Sequence, residues 1–184
     1  MTIHTITLGG GCFWCTEAVF VRVRGVLDVE SGYCNGLQAR QPSYEDVCRG
    51  DTGYNEVVRL QYDPAIISLS DVLTIFCSIH DPTSLNRQGN DQGTQYRSGV
   101  YFSEPADELV IVQTLTELQA SYGQPIVTEV EALQHYWPAE AYHQDYFLNN
   151  PNQGYCAFVV APKVGKLEQH FSQWLKACLC NLIK

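Results

Sequence analysis

Apolar and polar residues alternate along five short segments, and this period of two predicts β-strands. The predicted strands cover residues 3–8, 26–32, 56–62, 97–102 and 126–133. The first runs into three consecutive glycines, and the third ends at an Asp-Pro pair. Both are signals that end regular structure, so the segments are predicted to be short.

Helical spacing and capping residues predict helices between these strands. The predicted helices cover residues 12–23, 44–49, 70–79, 105–122 and 139–148, with Ser43 and Ser70 as N-caps. A polar loop (149–154) and a brief apolar segment (155–161) follow. A last helix is predicted from an apolar stripe with helical spacing, formed by Leu167, His170, Phe171, Trp174, Leu175 and Cys178.

Composition and charge narrow the class of protein. The chain has 184 residues, 45% of them hydrophobic and 17% charged, which predicts one globular domain over residues 1–184. A net charge of −9 argues against nucleic acid or an anionic membrane surface as a partner. No apolar run approaches the ~20 residues that span a bilayer, and the N-terminus does not resemble a secretory signal. We therefore expect a cytoplasmic protein.

Eight cysteines in such a protein suggest reactive thiols together with packing residues. The most informative segment is GGGCFWCTEAVF, residues 9–20. It places Cys12 at a predicted helix start, where free N–H groups and the helix dipole favour a thiolate and lower the pKa. The competing interpretation is a small buried core cysteine.

Cys12 and Cys15 also form a C-x-x-C pair, which is typical of a thiol–disulfide oxidoreductase or of half a zinc site. The five histidines show no paired spacing that would complete a zinc site, so no metal is predicted. Phe13 and Trp14 are ordinary core residues or an apolar wall for a substrate methyl group.

The segment at residues 9–20 resembles the signature of the methionine sulfoxide reductase A family, which reduces methionine-S-sulfoxide in peptides. Further blocks resemble that family in its order: GYCNG (32–36), SYEDVCRGDTGYNEVV (43–58), YDP (62–64), HDPTSLNRQGNDQGTQYRS (80–98), YHQDYF and NPNQGYC (142–156). They define a catalytic core at about 5–156 and leave a C-terminal helix and cysteine-containing tail at 163–184.

The resemblance implies an α+β two-layer sandwich with a mixed, mainly antiparallel, ferredoxin-like sheet and flanking helices. Strand–helix alternation alone would favour a doubly wound parallel sheet. The resemblance also implies the chemistry: Cys12 attacks the sulfoxide sulfur, and Glu56 donates a proton to its oxygen. A carboxyl with that task needs a raised pKa, which an apolar pocket lined by Phe13 and Trp14 would produce.

Other matching positions suggest supporting roles. Tyr44 and Tyr96 match two tyrosines that hydrogen-bond the sulfoxide oxygen, and Asp91 matches a polar residue that orients water or substrate. Tyr54 departs from the family, which often has a histidine there. A role for that imidazole is therefore not assumed.

Attack would leave Cys12 as a sulfenic acid, which a second thiol must condense with. Cys156 matches the resolving position and adjoins a loop expected to swing. Cys15, where the family commonly has glycine, is the second choice, because a Cys12–Cys15 disulfide would strain the first helical turn. Cys180 is a possible further relay thiol. The resemblance implies no bound cofactor, and implies thioredoxin or a small dithiol as the reductant.

Overall fold

A curled six-stranded sheet organises the fold in the computed structural model, which describes residues 2–177. Cys178 and Cys180 lie outside the described residues. The strands are β1 (His4–Gly10), β2 (Val26–Cys34), β3 (Asn55–Tyr62), β4 (Arg87–Gln88), β5 (Asp91–Gln92), β6 (Ser98–Phe102), β7 (Glu129–Ala132) and β8 (Tyr136–Pro138). Strands β4 and β5 form a separate hairpin.

The strand order in the main sheet is β7-β6-β1-β3-β2-β8. Only the β6–β7 pair is parallel, and the other neighbours are antiparallel. The α+β fold with a mixed, mainly antiparallel sheet is thereby confirmed, and the doubly wound alternative is wrong. The sequence gives no periodic signal for β8, because three residues are too few to show alternation.

The helices are α1 (Phe13–Phe20), α2 (Tyr44–Cys48), α3 (Leu69–Ile79), α4 (Pro105–Leu118), α5 (Tyr146–Asn149) and α6 (Ala161–His170). Ser43 caps α2 as predicted. The cap of α3 is Ser68 rather than Ser70, because Ser68 and Asp71 satisfy each other's backbone N–H groups in a capping box. Ser70 instead lies inside the helix, where its hydroxyl hydrogen-bonds Thr114 at 2.6 Å.

Two predictions for the C-terminal third are wrong. The helix predicted at 139–148 is divided at Asp145, whose φ of 53° is left-handed, so that only α5 and a 3₁₀ turn form. The last helix ends at His170. Beyond it, backbone pairing replaces helical hydrogen bonds: Lys176 N–H donates to the Arg22 carbonyl at 3.0 Å, and Leu175 forms an antiparallel bridge with Val23.

One hydrophobic core joins the sheet to the helices and also contains the thiols of interest. Helix α1 packs against β1, β2 and β3, and it also contacts α5 and α6. Cys12, Cys15 and Cys156 all belong to this core cluster. The segment that carries Cys12 and Cys15 is therefore held between the sheet and the C-terminal helices. None of the helices within residues 2–177 is long and apolar enough to cross a membrane.

Candidate active site

The turn from β1 into α1 places Cys12 as the N-cap residue of α1. The preceding Gly11 has φ 88°, a left-handed conformation that favours glycine. A Cβ at this position would also clash with the Gln88 side chain at 2.7 Å, so both the backbone and the packing require glycine. Cys15 N–H donates to the Cys12 carbonyl at 3.1 Å. The predicted position of Cys12 at a helix start is confirmed.

The lowered pKa expected for Cys12 is not found. Cys12 is 8% exposed, and its burial raises the pKa of the thiol, as do its hydrogen bond with Cys15 and the charge of Glu56. The hydrogen bond from Cys12 lowers the pKa of Cys15 to about 7, helped by the charge of Lys163. At rest, the geometry therefore keeps the proton on Cys12 and favours the thiolate on Cys15.

Glu56, the second residue of β3, lies beside this helix start. It is 1% exposed, and the Phe13 backbone N–H donates to its Oε2 at 3.3 Å. Burial raises the pKa of Glu56 to about 8, against the lowering effect of that hydrogen bond. Its Oε1 has no hydrogen-bond partner among the described residues. At neutral pH, Glu56 is mostly a protonated acid with a free oxygen, as a proton donor requires.

Both predicted tyrosines lie around Glu56. Tyr44 and Tyr96 are partly buried at the edge of the core. Burial raises the pKa of each phenol, and the charge of Glu56 raises both further. Both phenols stay protonated at neutral pH and can donate hydrogen bonds. The Tyr44 phenol also hydrogen-bonds the exposed thiol of Cys48.

Asp91 lies on β5, and its Oδ2 accepts a 2.5 Å hydrogen bond from the Tyr155 phenol. Tyr155 also lies beside the thiols of Cys12 and Cys15 and lowers the pKa of each, so it bridges the hairpin and the reactive sulfurs. The sequence predicts no role for Tyr155. Its adjacency to Cys156 is the signal that could have found it.

The two aromatic residues after Cys12 differ in exposure. Phe13 is 1% exposed, whereas Trp14 is only partly buried. The Trp14 indole stacks on Tyr146 with ring centroids 3.7 Å apart, and the edge of Tyr155 approaches it at 5.8 Å. Trp14 is thus fixed among residues from a distant part of the chain. The sequence carries no signal for the contact of Tyr146 with Trp14, because nothing local links the two residues.

Cys156 is fully buried, and its environment differs from the expected one. The thiol is not beside a swinging loop end: Cys156 begins a π-helical segment, Cys156–Val160, that leads into α6. Its backbone N–H donates to Gln153 Oε1 at 3.1 Å. Burial raises the pKa of Cys156, and the charge of Cys15 raises it further. Cys156 and Val160 of this segment are buried in the core, whereas Phe158 is 84% exposed.

Tyr54 has a structural role in the loop before α2. Its phenol donates to the backbone carbonyls of Gln38 and Arg40, both at 2.6 Å, and so fixes the loop before α2.

A cavity of about 510 Å³ adjoins the site between the β4–β5 hairpin and the C-terminal helices. Its lining includes Asp91, Tyr155, Phe158 and Lys163. Within residues 2–177, no group of three His, Cys, Asp or Glu side chains is placed to hold a metal ion.

Comparison with known proteins places this arrangement in a family. The family model described as peptide methionine sulfoxide reductase matches residues 4–175. Peptide methionine sulfoxide reductase MsrA of Campylobacter jejuni is 52% identical over 166 residues, covering 90% of this chain and 99% of the relative.

Solved structures agree with the sequence relatives. The reduced form of Mxr1 from Saccharomyces cerevisiae has a TM-score of 0.77 and 38% identity, covering 84% of this chain and 89% of its own. Mxr1 in complex with Trx2 has a TM-score of 0.54 and 28% identity, covering 78% and 84%. The chain therefore belongs to the peptide methionine sulfoxide reductase family of enzymes.

Proposed function

We propose that this enzyme reduces methionine-S-sulfoxide, free or in proteins, to methionine, with Cys12 as the nucleophile and thioredoxin as the final reductant. The observation that carries the proposal is the buried, mostly neutral carboxyl of Glu56 beside Cys12. A sulfoxide oxygen leaves poorly until it is protonated. A neutral acid next to a thiol is therefore the pair that this reaction requires.

In the first step, the Cys12 thiol passes its proton to the neighbouring Cys15 thiolate and attacks the sulfoxide sulfur, while Glu56 gives its proton to the oxygen. Protonated Tyr44 and Tyr96 stabilise the charge that develops on that oxygen. The new bond between the Cys12 sulfur and the substrate sulfur then breaks, and its electron pair stays on the methionine sulfur. The hydroxyl moves with its own electron pair to Cys12, which becomes a sulfenic acid. Phe13 and Trp14 hold the methyl group, and Asp91 orients the substrate or water.

A neighbouring thiol then condenses with the sulfenic acid, forming a disulfide and releasing water. Cys156 is the resolving residue by its match to the family. Cys15 is supported by its hydrogen bond with Cys12 and by its pKa of about 7. Because Cys12 is an N-cap with non-helical φ and ψ, a Cys12–Cys15 disulfide strains the first turn less than expected.

Thioredoxin as reductant is supported by the related Mxr1, whose structure is known in complex with Trx2. Cys180 is proposed as a further relay thiol, and a cytoplasmic location is proposed from the sequence.

The test is single-turnover reduction of the two sulfoxide epimers. Cys12→Ser is expected to abolish methionine formation, and the wild type should consume only the S epimer. Consumption of the R epimer would contradict the proposal. Glu56→Gln should slow the chemical step by about 10²–10⁴. A general thiol–disulfide oxidoreductase would instead tolerate Glu56→Gln, and a zinc-binding module would purify with stoichiometric zinc.

Resolution is tested separately with Cys156→Ser and Cys15→Ser. If Cys156 resolves, its serine variant yields one methionine per enzyme and then stalls with thioredoxin, while Cys15→Ser turns over. The reverse pattern would assign the role to Cys15. Mapping disulfides by mass spectrometry after one equivalent of sulfoxide identifies the bond directly.

A further inference from the structure

A buried histidine contacts the Trp14 indole, and the mechanism above gives it no role. His143 is 1% exposed, and the Trp14 Nε1–H donates to its Nδ1 at 3.1 Å. An indole nitrogen can only donate a hydrogen bond, so Nδ1 must carry no proton. In this geometry, His143 is therefore neutral, with its proton on Nε2.

Aromatic rings surround the imidazole and leave it little freedom to turn. Its ring centroid lies 5.0 Å from that of Phe13, 4.5 Å from Tyr44 and 4.1 Å from Tyr142. A ring packed in this way presents Nδ1 to Trp14 in one fixed direction. The contact fixes the indole edge, and the stack on Tyr146 fixes its face.

Three titratable groups face His143. Glu140 Oε2 lies 3.9 Å from Nε2, too far for a hydrogen bond, and this carboxylate already accepts from the Tyr44 N–H at 2.8 Å. The Tyr44 and Tyr142 phenols have raised pKa values, so neither carries charge near neutral pH. Burial lowers the pKa of His143 although Glu140 opposes it. The neutral ring is therefore the resting form.

We propose that His143 is a positioning residue: its unprotonated Nδ1 holds the Trp14 indole where the substrate methyl group packs, and protonation of the ring releases that indole. An imidazolium has N–H groups at both nitrogens, so two donors would face each other across 3.1 Å. The inference rests on the proposed function, because it takes Trp14 as the wall of the methyl site.

Three variants isolate the contact. His143→Leu removes the acceptor, His143→Asn supplies an oxygen near Nδ1 that does not titrate, and Trp14→Phe removes the donor. A lost hydrogen bond that leaves a buried donor unpaired corresponds to about a tenfold effect. At pH 7.5, His143→Leu should raise the KM for methionine-S-sulfoxide about tenfold and leave kcat within about threefold, while His143→Asn restores KM.

A double-mutant cycle separates the effect of the Trp14–His143 contact on KM from a general structural effect of the substitutions. In the Trp14→Phe background, His143→Leu should change KM by less than about twofold, because the contact is already gone. The near-UV circular dichroism of the indole should differ between wild type and His143→Leu, and this difference should vanish in the Trp14→Phe background. The spectroscopic readout needs no turnover.

The pH profile tests the protonation step by comparing the wild type with His143→Asn, whose side chain does not titrate. The ratio of wild-type to His143→Asn kcat/KM should be constant above pH 7. It should fall as the pH drops through the lowered pKa of His143, below the usual imidazole value of 6.5, as the wild-type ring gains its proton. A ratio that stays flat down to the lowest pH at which both proteins remain folded would overturn the release of the indole.

The possible failures are distinguishable. Wild-type protein without turnover on methionine sulfoxide overturns the proposed function. Normal wild-type turnover with an unchanged KM in His143→Leu overturns only the positioning role, and so does an equal effect in the Trp14→Phe background.

Discussion

Replacing Glu56 with glutamine should change how the stability of the protein depends on pH. The carboxyl has a pKa of 4.5 when unfolded and about 8 when folded, because burial disfavours its charged form. The folded state therefore holds one more proton than the unfolded state between these two pH values. Its contribution to stability is full below pH 4.5 and is lost as the pH rises through 8.

The magnitude follows from these pKa values. Each pKa unit corresponds to about 1.4 kcal/mol, so ionising Glu56 in the folded protein costs about 5 kcal/mol. Between pH 5 and pH 8, this group alone lowers the free energy of unfolding by about 3–4 kcal/mol. Glutamine has nearly the same shape and does not titrate, so Glu56→Gln should lose this dependence.

The assay is urea denaturation with a reducing agent at pH 5, 6, 7 and 8, for wild type, Glu56→Gln and Glu108→Gln. Glu108 is an exposed carboxylate in the first turn of α4, so its variant should follow the wild type. The unfolding free energy of Glu56→Gln minus that of wild type should grow steadily with pH. Parallel curves, within about 1 kcal/mol across this range, would refute the neutral buried carboxyl and with it the proposed proton donor.

Further substitutions test other parts of the site and the core. Tyr155→Phe removes the hydroxyl that lowers the Cys15 pKa, so alkylation of Cys15 by iodoacetamide at pH 7 should slow about fivefold. An unchanged rate would contradict that effect. Glu17→Ala removes the acceptor of three hydrogen bonds and should cost about 3 kcal/mol of unfolding free energy in urea, whereas a loss below 1 kcal/mol would show that the carboxylate is dispensable. Phe76→Ala, fully buried, should cost about 3–5 kcal/mol by the same measurement.

Local signals predicted the elements that depend on neighbouring residues. Ser43 and Asp46 form their capping box within one helical turn, so sequence alone could locate it. The helix predicted at 139–148 failed because left-handed Asp145 is held by Glu17, which accepts its N–H at 2.9 Å from 128 residues away. A contact of that separation leaves no periodic signal in the chain.

The sequence by itself determined the family and the α+β fold, and it pointed to Cys12, Glu56 and their matching residues as the candidate site, because these are read from residue types in order. Only the tertiary structure decided the electrostatics of the site. The helix start predicted an acidic Cys12 thiol, but burial in the shared core outweighs that effect and raises its pKa. Tyr155, Tyr146 and His143 likewise contact residues of α1 only when the chain folds, since they come from distant segments.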